Sequence, residues 1–138
     1  MWDRLHRELL RRLNALGRLD WSAGVVDGSH IRALRGGPLT GRSPVDRGRS
    51  GSKHHLIVDC HGVPLAATLT GGHRNDVTQL LPLVDGIGAI AGKRGRPRRR
   101  PERLIADRLR IRWARNARLH YAFLSLGCSL ICWRHIRP

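Results

Sequence analysis

Apolar positions near the start of the chain recur at helical spacing. Leu5, Leu9, Leu13 and Leu16 are separated by four, four and three residues. That period lays one apolar stripe along a helix and predicts a helix over residues 2–17, with Gly17 as its terminator. The pattern then shortens. Ala23–Asp27 (AGVVD) is a brief apolar run ending in a carboxylate and predicts a buried strand. Residues 35–52, rich in Gly, Arg, Ser and Pro, predict a loop or a very irregular hairpin. His55–Cys60 and Val63–Thr70 flank the turn signal His61-Gly62 and predict a hairpin. Asp76–Val84 predicts a short helix, with Asp76 as N-cap, Gln79 at capping-box distance and Pro82 weakening its end. A basic, Gly/Pro-punctuated loop covers 92–101, and Arg103–Asp107 (RLIAD) is a second short apolar run ending in a carboxylate. Finally Leu119, Phe123, Leu126, Leu130 and Trp133 predict a helix over 116–134, and its many other apolar residues predict that it is buried on most sides. Helix, strand, hairpin, helix, strand, helix is a mixed α/β order.

Charge narrows the partners. The 138 residues carry a net +16, with 24 Arg and 2 Lys. Residues 1–27 contribute only +1, whereas six basic residues and no acid occupy 92–100. Such an excess suits a polyanion, most simply DNA or RNA. Lys53, Lys93, Arg94, Arg96, Arg98, Arg99 and Arg100 are the candidate phosphate-contacting residues. Aromatic residues make up only 4% and no RNA-binding motif is present, which disfavours a base-stacking module. The three cysteines, Cys60, Cys128 and Cys132, form no CxxC pair, against a disulfide framework or structural zinc site. Cys128 and Cys132, four apart, are expected on a buried helix face. His54, His55, Cys60 and His61 imitate a metal cluster, but neighbours on a strand point to opposite faces. No run is long and apolar enough to span a bilayer and no signal peptide is visible, so a cytoplasmic protein without membrane association is the expectation.

Acids are scarce, ten in all, and two have matching contexts: Asp27 after Val25-Val26, and Asp107 after Leu104-Ile105-Ala106. Each ends a strand-like run, where polar groups reach the rim of a sheet. Two such carboxylates could bind Mg²⁺ for chemistry at a phosphodiester, or simply cap a loop or helix. The pattern alone leaves both readings open. Asp59 lies next to a turn. His30 and Arg32 share one face of VDGSHIRA, as phosphate contacts or as solvated residues.

Longer segments carry more information than the pair of acids. VVDGSHIRA, GRSGSKHHLIVDCHGVPLAATLTGGHRNDVTQLLPLVDGI and RPERLIADR resemble, in order, the catalytic domain of bacterial insertion-sequence transposases of the DDE type. LRIRWARNARLHYAFLSLGCSLICWR resembles the C-terminal helix of those proteins, and WDRLHRELLRRL the helix before their first catalytic strand. The resemblance implies an RNase H-like fold, here incomplete, with a mixed sheet flanked by helices. It implies Asp27 and Asp107 as the first two catalytic, metal-binding acids, Mg²⁺ or Mn²⁺ as cofactor, and insertion-element DNA as partner. Asp76, in GGHRNDV, matches a recurrent motif without a metal role.

Two departures accompany it. In the family, the second Asp is followed by a Gly-Tyr-Asp turn, a helix, a strand and a helix bearing a catalytic Glu. Here Asp107-Arg108 runs directly into LRIRW, and no acid follows Asp107. The family also usually carries an N-terminal helical DNA-binding region, and the expectation is that this chain starts after it. The expectation is a transposase by descent, defective in strand transfer, or a non-catalytic DNA-binding remnant that self-associates or interferes with intact transposase.

Overall fold

The computed structural model describes residues 1–106 and 128–136, and the backbone of 110–114. Helix α1 spans Trp2–Ala15, with Asp3 in its first turn and Arg12 in its last, both suited to the helix dipole. The chain turns at Gly17 (φ 70°), where Arg18 N–H closes on the Leu13 carbonyl at 2.9 Å. The buried stripe is shifted from the expected one. Leu9, Leu10 and Leu13 enter the core, while Leu5 and Leu16 remain exposed. A stripe read by spacing does not say where along the helix its packing partners stop.

Strands β1 (Gly24–Ala33), β2 (Gly41–Arg42), β3 (Ser50–Asp59) and β4 (Pro64–Gly71) precede helix α2 (Asp76–Asp85), followed by β5 (Leu104–Ala106) and β6 (Arg110–Ala114). All six strands form one mixed sheet. β3 pairs antiparallel with β1 from Gly24↔Asp59 to Arg32↔Gly51, and β4 pairs antiparallel with β3. On the other edge of β1, β5 runs parallel over Gly24↔Leu104 to Val26↔Ala106, and β6 runs parallel from Ser29↔Arg110 to Ala33↔Ala114. The segment from β4 through α2 and the basic loop therefore crosses the sheet to reach β5. β2 pairs with Ser50 and Gly51, making the irregular hairpin that residues 35–52 suggested.

β1 continues six residues beyond the predicted strand end, so Asp27 sits within a strand and not at its tip. Gly28 interrupts the apolar run without ending the backbone ladder. β6 lacked a sequence-based prediction, although Ile111 and Trp113 alternate with Arg110 and Arg112. Asn75, rather than Asp76, caps α2: its side chain accepts from Val77 N–H at 3.1 Å. Residues 128–136 are helical, two residues past the predicted end. The predicted residues 116–127 of that helix lie outside the described residues. Its described part is buried on one side only: Cys128 and Cys132 are covered, whereas Leu130, Ile131 and Trp133 are exposed. Burial pushes both thiols up, to about 11 and about 12.

One apolar cluster joins α1 (Leu9, Leu10, Leu13) and α2 (Leu83, Val84) to Ile57 of β3, Leu65 and Ala66 of β4, and Cys132. Polar anchors fix its rim. Asn14 donates to the Ala91 carbonyl at 2.9 Å and accepts from the Trp21 indole at 3.1 Å. The Arg18 guanidinium donates to the carbonyls of His135 and Ile136, at the end of the C-terminal helix.

Asp59, which sequence placed beside a turn, is buried and accepts from the backbone N–H groups of Asp20, His61 and Val63 at 2.8–3.0 Å. It holds both the β3–β4 turn and the approach to β1. Asp59→Ala would leave three backbone donors without their acceptor. The expected loss is about 3 kcal/mol in urea denaturation, and a loss under about 1 kcal/mol would show that the loops do not depend on it.

Candidate active-site cleft

Alternation along β1 places Val26, Gly28 and His30 on one face and Val25, Asp27 and Ser29 on the other. Val26 packs against the core, so its face is the one covered by helices. Where this strand meets α2 lies a cleft of about 340 Å³, lined by Val26, Asp27, Gly28, His55, Asp76, Leu80, Leu83 and Ala106. Asp27 is exposed. Its carboxylate makes no hydrogen bond or ion pair with any described residue. Strand β5 brings Ala106 opposite Val26. Each of these paired residues immediately precedes one of the two candidate acids, and Asp107 itself lies outside the described residues.

The remaining acids are engaged elsewhere. Asp46 is bound by both Arg32 Nε and Nη2, and that guanidinium holds its carboxyl below the usual range. Asp85 pairs with Arg100 at 2.6 Å, Glu102 with Arg98 at 3.4 Å, and Glu8 with Arg11 and Arg12. Asp20 accepts from Ser22 N–H at 2.9 Å. Asp76 shares the cleft with Asp27 but lies 3.1 Å from the Lys53 ammonium. Hard cations need several oxygen ligands. Among the described residues no group of three His, Cys, Asp or Glu side chains is placed to hold a metal ion. Asp27 by itself offers one carboxylate, which is not a complete site.

Lys53 is buried, and its Nζ donates to the Arg74 carbonyl at 2.7 Å beside Asp76. A link over more than twenty residues has no local signal, so sequence presented Lys53 as a free cation. Lys93, Arg94, Arg96, Arg98, Arg99 and Arg100 are exposed on the loop before β5. An isolated bridge between Ile90 and Arg98 closes that loop. Of the six, Arg98 and Arg100 are the two with ion pairs to described residues.

His30 and Arg32 are not solvated residues. Arg32 is tied to Asp46, and His30 is fully buried, with neither ring nitrogen hydrogen-bonded. His30 fits because Gly51 lies beside it: a Cβ there would stand 2.4 Å from Nε2. Burial lowers its pKa from 6.5, Lys53 and Arg32 lower it further, and Asp46 and Asp76 oppose the shift. Burial likewise lowers His55, which bonds Thr70 Oγ1 at 2.9 Å, and His6, which bonds the Pro64 carbonyl at 2.8 Å.

The chain matches the family described as "Transposase DDE domain" over residues 20–124. It belongs to the DDE transposases of insertion sequences, whose α/β fold is RNase H-like and which generally use divalent metal ions on DNA. It is 40% identical over 152 residues to a Burkholderia cepacia protein named "Putative transposase for insertion sequence element IS402", covering 74% of this chain and 72% of that protein. It is also 46% identical over 44 residues to "Insertion element IS402 uncharacterized 16.2 kDa protein" of the same organism, covering 32% and 30%. No solved structure matches the chain. No helix among the described residues is long and apolar enough to cross a membrane.

His30, His55 and the half-buried His6, each with its pKa lowered by burial, make stability depend on pH. Their folded pKa values are lowered, so the unfolded chain binds more protons. Stability is full above about 6.5 and declines as pH falls through the lowered values. The urea midpoint is expected to drop between pH 7.5 and pH 5, ahead of any carboxylate effect. A flat midpoint over that range would contradict these assignments.

Proposed function

We infer that this chain is a DDE transposase catalytic domain by descent, with Asp27 and Asp107 as its two metal-binding acids, and that it binds DNA without strand transfer. The pairing of Val26 with Ala106 carries this reading, because it sets the residues before the two acids side by side on parallel strands. The exposed Asp27, with no structural partner among the described residues, is suited to a ligand role. Mg²⁺ or Mn²⁺ is the expected ion.

Loss of activity follows from the acids. No Asp or Glu lies among residues 108–138. Of the others, Asp76 is the one that shares the Asp27 cleft, and it faces Lys53. A pair of ions at a phosphodiester requires more than two carboxylates. The IS402 alignment supports an internal loss: 74% of 138 residues is about 102, so about 50 of the 152 aligned positions stand opposite gaps in this chain. β5 pairs only with β1 among the described residues, leaving an edge for another copy or an intact transposase. The basic loop 92–100 supplies phosphate contacts through Lys93, Arg94, Arg96 and Arg99, and the site of action is the cytoplasm.

The purified chain, given Mg²⁺ or Mn²⁺, a 3′-OH duplex end and target DNA, is expected to give no joined product. Duplex binding is expected to persist in Asp27→Ala, in Asp107→Ala and in excess chelator. Joined product that disappears in Asp27→Ala would overturn the inactive reading and leave the assignment of Asp27 standing.

A further inference from the structure

α1 lies outside residues 20–124, the span matched by the family. Its outer face carries Arg4, Arg7 and Arg11 at spacings of three and four, which puts them on one side of the helix. The fold sets this row against residues 89–91. Between them runs a groove of about 460 Å³, lined by the three arginines together with Asp3 and Glu8.

Contacts distant in sequence build the groove. Asn14 holds the Ala91 carbonyl at 2.9 Å. Gly92 (φ 122°) lies so close to α1 that a Cβ would stand 2.5 Å from the Arg11 carbonyl and 2.9 Å from Ala15 N. The basic loop therefore departs from the surface of α1 itself. The first of its cations is Lys93, whose Nζ passes 3.7 Å from the place of a Cβ on Gly17. Arg94, Arg96 and Arg99 follow, exposed and without ion pairs to described residues.

The two acids do not cancel this charge. Glu8 is clamped by Arg11 and Arg12 at 2.8–3.0 Å, and Asp3 brings one negative charge to the groove beside Arg4 and Arg7. Neither of those arginines has an ion pair with a described residue. By residue count 1–27 is nearly neutral, yet folding gathers its exposed arginines beside the most basic segment of the chain.

We propose that the α1 groove and the basic loop form one continuous surface that holds the sugar-phosphate backbone of duplex DNA, apart from the Asp27 cleft. Arg4 and Arg7 contact phosphates as bidentate donors, beside Arg11, which is held by Glu8. The surface rests on the DNA-binding reading above but assigns it residues that the family match does not reach.

The test uses the full chain and a short duplex of arbitrary sequence, with binding measured across salt concentration. Arg4→Ala/Arg7→Ala is compared with Arg35→Ala/Arg47→Ala, which removes equal charge from the exposed loop between β1 and β3. Each phosphate contact contributes about 0.9 to the slope of log K against log salt. The groove pair is expected to flatten that slope by about 1.8 with helix content unchanged, and the control pair to leave it nearly intact. Equal flattening by both pairs would overturn the groove while leaving DNA binding in place. Tighter binding of single-stranded RNA, lost in the groove pair, would overturn the choice of partner. Absence of salt-dependent duplex binding in the unaltered chain would remove both readings together.

Discussion

Hydrogen bonding along both edges of β1 is the constraint on which the rest of the molecule depends. Its nine-residue register with β3 and its parallel pairing with β5 and β6 leave it no freedom to slide. Side chains on a strand alternate, so a slip of one residue would exchange the faces of the whole strand. Val26 would leave the core and Asp27 would enter it. Because the apolar face of β1 is fixed by Ile57 and the helices, the position of Asp27 is fixed with it. The parallel partner must be reached by a crossover, and that crossover carries α2 and the basic loop.

The covered face of the sheet divides into unlike halves. Around Val26 and Ile57 it is apolar and packed by Leu13 and Leu83. Farther along β1 it holds His30, Lys53, His55 and the Arg32–Asp46 pair, all substantially buried. A buried polar group is costly unless its partners are in place, and most of these have them: Arg74 and Asp76 for Lys53, Thr70 for His55, Asp46 for Arg32. His30 does not, and its burial lowers its pKa. This polar half links the end of β1 to the start of α2, immediately beside the candidate active-site cleft. The same pairings account for the shortage of free carboxylates, since a chain with ten acids and 26 basic side chains engages nearly every acid structurally.

Much of the architecture was legible along the chain, for identifiable reasons. Short apolar runs marked β1, β3, β4 and β5, and Gly17 and Gly62 marked turns. Leu9 and Leu13 were found because helical spacing reports which residues share a face. What the sequence leaves hidden has a different cause. Sequence presents His30, Arg32 and Lys53 as solvated or phosphate-binding, because polar residues usually face water. Their burial depends on Asp46, Asp76 and the carbonyl of Arg74, which come from other elements. The shift of the α1 stripe to Leu10, and the one-sided burial of residues 128–136, likewise depend on where neighbouring elements end.

The sequence by itself determined the family, the two candidate acids and the lack of acids over residues 108–138, because residue identity and order are sufficient for these. Tertiary structure alone decided that Asp27 lies within a strand, that Val26 faces Ala106, that Lys53 is spent on Asp76 and Arg74, and that the arginines of α1 meet the basic loop. Each of those facts is a distance between residues far apart in the chain, and the closure of a sheet around β1 is what sets such distances.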